Sequence, residues 1–251
     1  MLFKLKHINF EYRMSLLQRI QTLGIKIVFI CPDNSPKYTG RKLTMLWMLQ
    51  QIGFTNVEHF KSDSGTYPQS LVQANIDILK KYIDEPVLIL EDDIAYTDNC
   101  TIDLPEDADA FYLGLSECAG HPTLETNSGI SQFEYASPYT VRVKNMLATH
   151  AVLYISRRYK EAIIKTLEKC LPLNYSSDVS ISRVQPLFNV YAGTVPMFYQ
   201  SRAFNLTPRW NINVEDNTNI EIYVHKDKKC IPIRRYGGLT ALVQYKHELK
   251  M

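Results

Sequence analysis

The first hundred residues alternate between short runs bounded by turn residues and longer amphipathic stretches. The runs "KIVFI", "NVEHF" and "PVLILEDD" are too short for stable helices, so each predicts a strand. Between them, "RKLTMLWMLQQIG" and "PQSLVQANIDILKKYI" repeat apolar residues at helical spacing, and Gly53 closes the first of these helices. Strands that alternate with helices in this way predict an α/β sheet with crossover helices.

The second half continues this alternation less regularly. The stretches "DAFYLGLS", "ATHAVLYIS" and "LFNVYAGTVP" predict strands, and "RRYKEAIIKTLEKC" predicts a helix. A long polar and aromatic loop is predicted over "ECAGHPTLETNSGISQFEYASPYTV", and the pattern weakens after Arg202. We therefore predict one α/β domain over residues 1–205, followed by a basic C-terminal extension over residues 206–251 that contains "HKDKK" and "RR".

The stretch "PVLILEDDIAY" places three acids directly after four apolar residues. The run from Val87 to Leu90 shows no alternation, which predicts a central strand buried on both faces, with the acids at its C-terminal end. Ligands of open α/β sheets bind at such ends. Alternation along an extended chain puts Glu91 and Asp93 on one face and Asp92 on the other. Two carboxylates on one face predict a divalent cation, Mg²⁺ or Mn²⁺; the alternative is a strand that enters a solvated loop.

Composition narrows the class of protein. The 251 residues are 45% hydrophobic, and 28 basic residues against 26 acidic ones leave a net charge of +2. This balance gives no general preference for nucleic acid or membranes. The N-terminus lacks the apolar segment of a signal peptide, and we expect no membrane span. Five scattered cysteines without a CxxC pair favour reduced thiols, so we expect a protein of a bacterial or host cytoplasm.

Four stretches resemble a known family in the same order along the chain. They are "GRKLTMLWMLQQIGF", "VLILEDD", "THAVLYISRRYKEAIIKTL" and "SSDVSISRVQPLFNVYAGTVPMFYQ". Together they are similar to glycosyltransferase family 25, which includes lipopolysaccharide-biosynthesis and procollagen galactosyltransferases, and the resemblance spans roughly residues 26 to 200. It implies an A-type glycosyltransferase fold, a Rossmann-like mixed sheet flanked by helices. It further implies a nucleotide-sugar donor, expected to be a UDP-sugar, and a Mn²⁺ or Mg²⁺ cofactor.

The resemblance also implies roles for the acids. Asp93 is expected to hold the metal, and Glu91 to support the metal or contact the ribose. Asp178 is expected to be the general base for the acceptor hydroxyl, with Asp92 or Glu117 in reserve. The alternative for Asp178 is an ordinary helix N-cap, since Ser176 and Ser177 precede it.

Three basic or imidazole side chains are further candidates. Arg41 and Lys42 open a helix and are predicted to contact the diphosphate of the donor; an exposed helix face is the alternative. His150 begins a strand and is predicted as a third metal ligand, the alternative being a core histidine with its hydrogen bonds satisfied.

The segment "SQFEYASPYTV" contains Phe133, Tyr135 and Tyr139. Flat aromatic faces stack on sugars or bases, so we predict acceptor contacts here, and anchoring of a loop is the alternative. The acceptor itself stays open between a surface glycan or lipopolysaccharide and hydroxymethylated bases in DNA. A metal-dependent nucleotidyl- or phosphotransferase is a further alternative, although no GxxxxGK[ST] phosphate loop is present.

Overall fold

A computed structural model describes residues 16–62, 68–96, 104–116, 131–137, 139–147, 149–173, 177–194 and 196–200. The helices are α1 (Leu16–Thr22), α2 (Pro36–Ile52), α3 (Gln69–Lys81), α4 (Arg157–Cys170) and α5 (Ser177–Ser182). The strands are β1 (Lys26–Ile30), β2 (Val57–Phe60), β3 (Val87–Glu91), β4 (Ile94–Tyr96), β5 (Ala110–Tyr112), β6 (Gln132–Tyr135), β7 (Thr140–Asn145), β8 (Ala151–Tyr154), β9 (Val190–Gly193) and β10 (Phe198–Gln200).

Eight of the described strands form one mixed sheet in the order β2-β1-β3-β8-β5-β9-β7-β6. β1 pairs in parallel with β2 and with β3, whereas β8 runs antiparallel between β3 and β5. β9 is parallel to β5, and β7 is antiparallel to both β9 and β6. β4 and β10 form a separate antiparallel pair. The predicted α/β class, a mixed sheet flanked by helices, is therefore confirmed.

The two faces of the sheet are covered by different helices. Val87 and Ile89 of β3 pack in the cluster that contains the buried residues of α3 and α4. Leu88 and Leu90 point to the opposite cluster, which contains the buried residues of α1 and α2. The four residues have at most 1% of their surface exposed, so β3 is buried on both faces as its unbroken apolar run predicts.

Helix α2 begins earlier than its apolar pattern predicts. Ser35 is extended at the N-cap, and Pro36 occupies the first turn, where its fixed φ suits a helix and its missing N–H leaves no bond unmade. Gly53 ends the helix at φ 88°, and its N–H returns to the carbonyls of Leu49 and Gln50. The predicted C-terminus is confirmed. The start lies five residues before Arg41, because proline at a first turn is compatible with the helix.

A buried lysine joins α4 to the chain that leads into β3. Lys160 has no exposed surface, and its ammonium donates to the backbone carbonyls of Tyr82, Ile83 and Glu85. The first of these carbonyls belongs to the C-terminal end of α3, where backbone acceptors have no partner within the helix. Lys160 thereby fixes the connection that carries the chain from α3 to β3.

Two predictions of local structure are wrong. Part of the predicted loop at residues 117–141 is a hairpin, formed by β6 and the start of β7. Its strands, QFEY and TVRVKN, do alternate polar and apolar residues, but they are only four and six residues long. In addition, β3 ends at Glu91, and Asp92 and Asp93 form a turn into β4, so the strand does not continue through all three acids.

The predicted extension over residues 206–251 lies outside the described residues. None of the described helices is long and apolar enough to cross a membrane.

Candidate active site at the carboxyl edge

Strands β1, β3, β5 and β9 run in the same direction and end along one edge of the sheet, which we call the carboxyl edge. Because β8 runs the opposite way, its N-terminal end lies at the same edge. Thr149 and His150, which directly precede β8, are therefore placed beside the C-terminal end of β3. This edge brings together residues that are distant in the sequence.

Glu91 is held at the end of β3 by its neighbour β8. Its backbone N–H donates to the His150 carbonyl at 2.9 Å, and the Thr149 hydroxyl donates to Glu91 Oε1 at 3.0 Å. Burial and the nearby charge of Asp93 raise the pKa of Glu91 to about 8, and Asp178 adds to this effect. Glu91 is consequently a carboxyl group that retains its proton near neutral pH until a positive charge arrives.

Asp92 lies in the turn that follows β3, beyond the extended chain to which alternation applies. Arg41 of α2 donates to Asp92 Oδ1 at 2.9 Å, and the Cys31 thiol donates to Oδ2 at 3.3 Å. Arg41 and Asp92 are 8% and 9% exposed, and the guanidinium also lies 5.8 Å from the Tyr38 ring centroid. The predicted diphosphate ligand Arg41 and the predicted catalytic Asp92 thus bind each other. This pair anchors α2 to the turn that follows β3.

Asp93 is the half-buried acid of the turn. The Gln200 amide donates to its two carboxylate oxygens at 3.4 and 3.3 Å, which are long hydrogen bonds. Burial and the charge of Asp92 raise the pKa of Asp93 to about 6, against the opposing effects of Arg41 and Gln200. Gln200 was not predicted as a site residue, although it ends the last of the four family-like stretches.

Asp178 approaches the same acids from α5. It lies in the first turn of this helix, is half-buried, and accepts a hydrogen bond from the Val179 N–H at 2.8 Å. Its charge contributes to the raised pKa of Glu91, and also to that of Tyr112, which burial chiefly raises to about 12. The charges of Asp178 and Glu91 therefore interact, and the role of Asp178 as a base stays a prediction.

His150 is 3% exposed, and among the described residues its ring interacts with the Phe198 backbone, whose hydrogen bond acts to raise the pKa of the imidazole. Burial lowers its pKa to about 4, so the imidazole is neutral at pH 7. The ring lies over Gly114, where a Cβ atom would be only 1.9 Å from His150 Nε2. Gly114 was not predicted, and its role is to leave space for this ring. This burial and the contact with the Phe198 backbone agree with the alternative considered for His150, a core histidine, and its role as a metal ligand stays a prediction.

Further polar groups lie beyond the end of β1. Lys42 of α2 is half-buried. The pKa of Asp33 is lowered chiefly by its hydrogen bond from Lys61, and the charge of Lys42 lowers it further. His59 at the end of β2 stacks on Phe29 with ring centroids 4.9 Å apart, and its Nε2 lies 2.8 Å from the Cys31 carbonyl oxygen. His59 was also missed, because a single histidine in a short strand carries no distinctive pattern.

The predicted acceptor residues divide into two kinds. Phe133 is partly buried and packs against the core beneath β6 and β7. Tyr135 and Tyr139 are 66% and 59% exposed at the tip of the β6–β7 hairpin. Anchoring therefore describes Phe133, whereas the two tyrosines are available to a ligand.

The predicted metal ligands are not gathered into one set. Within the described ranges, no group of three or more His, Cys, Asp or Glu side chains is arranged to hold a metal ion. Glu91, Asp93 and His150 accordingly remain predictions as metal ligands. Glu117, the reserve base, lies outside the described residues.

Comparisons with known proteins give distant likenesses only. No protein-family model and no curated protein matches the chain. Among solved structures, it is similar to a glycosyltransferase involved in the glycosylation of the major capsid of PBCV-1, with 11% identity and a TM-score of 0.43 over 71% of this chain and 95% of that one.

Two nucleotidyltransferase-type structures are also similar to the chain. A CTP:phosphocholine cytidylyltransferase from Streptococcus pneumoniae has 10% identity and a TM-score of 0.37, covering 72% of this chain and 96% of that chain. A nucleoside-diphosphate-sugar pyrophosphorylase from Vibrio cholerae RC9 has 8% identity and a TM-score of 0.37, covering 75% and 79%. These values are too low to transfer an activity, and membership of glycosyltransferase family 25 stays a prediction.

Proposed function

We propose that the protein is a metal-dependent glycosyltransferase with an A-type fold. It would transfer a sugar from a nucleoside-diphosphate sugar, expected to be a UDP-sugar, to a hydroxyl group of a surface glycan or lipopolysaccharide. The observation that carries the proposal is the arrangement of acids at the carboxyl edge. Asp92 is engaged by Arg41, whereas Glu91 is bound by Thr149 and interacts with the charges of Asp93 and Asp178.

The donor set there fits a hard divalent cation such as Mn²⁺ or Mg²⁺. Glu91 and Asp93 supply carboxylate oxygens, the ligands these ions prefer. Among the described side chains, the Gln200 amide donates to the Asp93 carboxylate at long distances, which leaves acceptor positions on its oxygens for a ligand. Fewer than three protein ligands suit an ion that completes its coordination with phosphate oxygens. When bound, the cation would neutralise the charge that develops on the departing diphosphate.

The remaining residues would act by position and by proton transfer. Thr149 orients Glu91 through its hydroxyl, and the Arg41–Asp92 pair fixes the turn that presents Asp93. Asp178 would accept the proton of the acceptor hydroxyl, as a half-buried carboxylate near the other acids. The neutral, buried His150 would hydrogen-bond to the ligand or serve as a further metal ligand.

A donor-turnover assay tests this proposal. Purified protein is incubated with Mn²⁺ and a panel of nucleoside-diphosphate sugars, and release of nucleoside diphosphate is measured with and without a chelator. We expect release with one donor class and its loss on chelation. Asp93→Asn should reduce the rate at least about a hundredfold, since it removes charge stabilisation at the reacting centre.

The matched control is Asp77→Asn, which neutralises an exposed acid of α3 that accepts only a local hydrogen bond from Gln73 at 2.7 Å. It should retain the wild-type rate. Absence of release with every donor, or release that chelation leaves unchanged, would refute the proposal. Pyrophosphate release from a nucleoside triphosphate and a sugar phosphate would identify a nucleotidyltransferase instead.

A further inference from the structure

The tip of the β6–β7 hairpin lies at the same edge of the sheet as the acids. Thr140 at the start of β7 pairs with Gly193 at the end of β9, and the Thr194 N–H donates to the Tyr139 carbonyl at 2.9 Å. Tyr135 ends β6 and pairs with Val141 across the hairpin. Both exposed tyrosines therefore belong to the carboxyl edge.

Hydrogen bonds restrain the described residues of the hairpin tip. The N–H groups of Ala136 and Ser137 both donate to the Thr140 carbonyl at 3.0 Å, and the Tyr139 N–H donates to the Ser137 hydroxyl at 3.2 Å. Below the tip, Val141 is fully buried in the core. These hydrogen bonds restrain the backbone that carries the two exposed rings, which lowers the entropy lost when a ligand binds them.

The sheet order sets the separation between the tyrosines and the acids. Four strand intervals separate β3 from β7, which corresponds to about 19 Å at the usual spacing of about 4.8 Å. The gap is bridged along the edge by the chain that follows β9. Met197 and Phe198 both donate from their N–H groups to the Leu113 carbonyl, at 2.8 and 3.0 Å, and Gln200 then reaches Asp93. A ligand touching both ends must therefore be extended.

The charge of the hairpin indicates which extended ligand fits. Lys144 is paired with Glu134 at 2.9 Å, and Arg142 is partly buried and donates to the Phe188 carbonyl at 3.3 Å. Neither cation of the described part of the hairpin is fully exposed, so this surface offers little charge to neutralise phosphates, which nucleic-acid binding requires. Exposed tyrosine rings with hydroxyl groups suit the apolar faces and hydroxyls of uncharged sugars.

We propose that Tyr135 and Tyr139 form a distal binding site for an extended, uncharged glycan acceptor. The end of this glycan that receives the new sugar lies at the acids, and units several residues away stack on the two tyrosines. The inference rests on the proposed function and deepens it, because it specifies an oligosaccharide or polysaccharide acceptor in place of a single sugar or a nucleic acid.

The first test is binding, which requires no turnover. Wild type and a Tyr135→Ala/Tyr139→Ala variant are applied to an array of neutral oligosaccharides graded in length. We expect the wild type to bind long members of at least one series and the variant to bind them about tenfold more weakly. Tyr135→Phe/Tyr139→Phe keeps both rings and should retain most of the binding. Leu187→Ala, which shortens a 75% exposed side chain near the other end of β9, serves as the matched control.

The second test measures transfer to a short and a long member of the series that binds. The alanine variant should raise KM for the long acceptor about tenfold, leave kcat unchanged, and leave KM for the short acceptor unchanged. Equal effects on both acceptors, or binding that does not depend on the tyrosines, would overturn the inference, as would a lack of binding to every glycan. Tyrosine-dependent, salt-sensitive binding of a single-stranded oligonucleotide would also overturn it. Donor release by the alanine variant is measured separately, so failure of this inference is distinguishable from failure of the proposed function.

Discussion

Substitution of Gly114 by alanine should destabilise the protein through a direct clash with His150. The added Cβ would lie 1.9 Å from Nε2, 2.6 Å from Cε1 and 2.7 Å from Cδ2 of the ring. Favourable contacts between heavy atoms are near 3.5 Å, so the ring would have to move by roughly 1.5 Å. The ring is 97% buried, since only 3% of the residue is exposed, and overpacking of this kind costs about 1–3 kcal/mol.

A double-mutant cycle isolates this contact from every other effect of the substitution. Gly114→Ala, His150→Ala and the double variant are unfolded in urea, and the free energies of unfolding are compared. In the His150→Ala background the obstructing ring is absent, so Gly114→Ala should cost about 0.5 kcal/mol or less. The coupling energy between the two positions should therefore be about 1–3 kcal/mol. An equal cost of Gly114→Ala in both backgrounds would refute the argument that Gly114 exists to accommodate His150.

Two further predictions concern buried charges away from the acids. Lys160→Met should lower the free energy of unfolding by about 2–4 kcal/mol, because three backbone carbonyls lose a charged donor. Urea unfolding measures this difference, and a loss below about 1 kcal/mol would contradict the prediction. Asp109 is 2% exposed and is bound by Arg158. Burial acts to raise the pKa of Asp109, but the hydrogen bonds from Arg158, Ser156 and the Asn189 backbone lower it below its ordinary value. Its stabilisation is thus complete above its unfolded pKa of about 3.9 and is lost as pH falls through the lower folded value. The stability difference between wild type and Asp109→Asn should shrink below about pH 4 in acid titrations, and a constant difference down to pH 2 would contradict the assignment.

The sequence predicted a structural element correctly where a short local pattern alone determines that element. An unbroken apolar run can be buried only by covering both faces, which made β3 and the location of its acids predictable from Val87 to Leu90 alone. Gly53 likewise identified the end of α2 without knowledge of any contact. The hairpin was missed because β6 and β7 are only four and six residues long, and β7 is held in the sheet by its pairing with the distant strand β9.

Partners within the site were not predictable, because they are remote in the chain. Arg41 and Asp92 are 51 positions apart, and Gln200 and Asp93 are 107 positions apart. Alternation applies only to an extended chain, which ends at Glu91, and it could not indicate that a helix would present an arginine to Asp92. The role of Gly114 depends on the ring of a residue on the next strand, and no spacing rule within the sequence encodes that proximity.

Because β8 runs antiparallel to β3 and β5, the residues that it contributes to the carboxyl edge precede the strand. In an entirely parallel sheet, every residue that reaches such an edge lies after a strand, in the loop that continues towards the next helix. Here Thr149 and His150 arrive before their strand, while Val152 to Tyr154 are fixed in the core and in register with β3 and β5. The two positions can therefore be exchanged without lengthening or redirecting any loop that follows β1, β3 or β9. Point substitution at these two positions changes which side chains line the edge while the register of β8 stays the same.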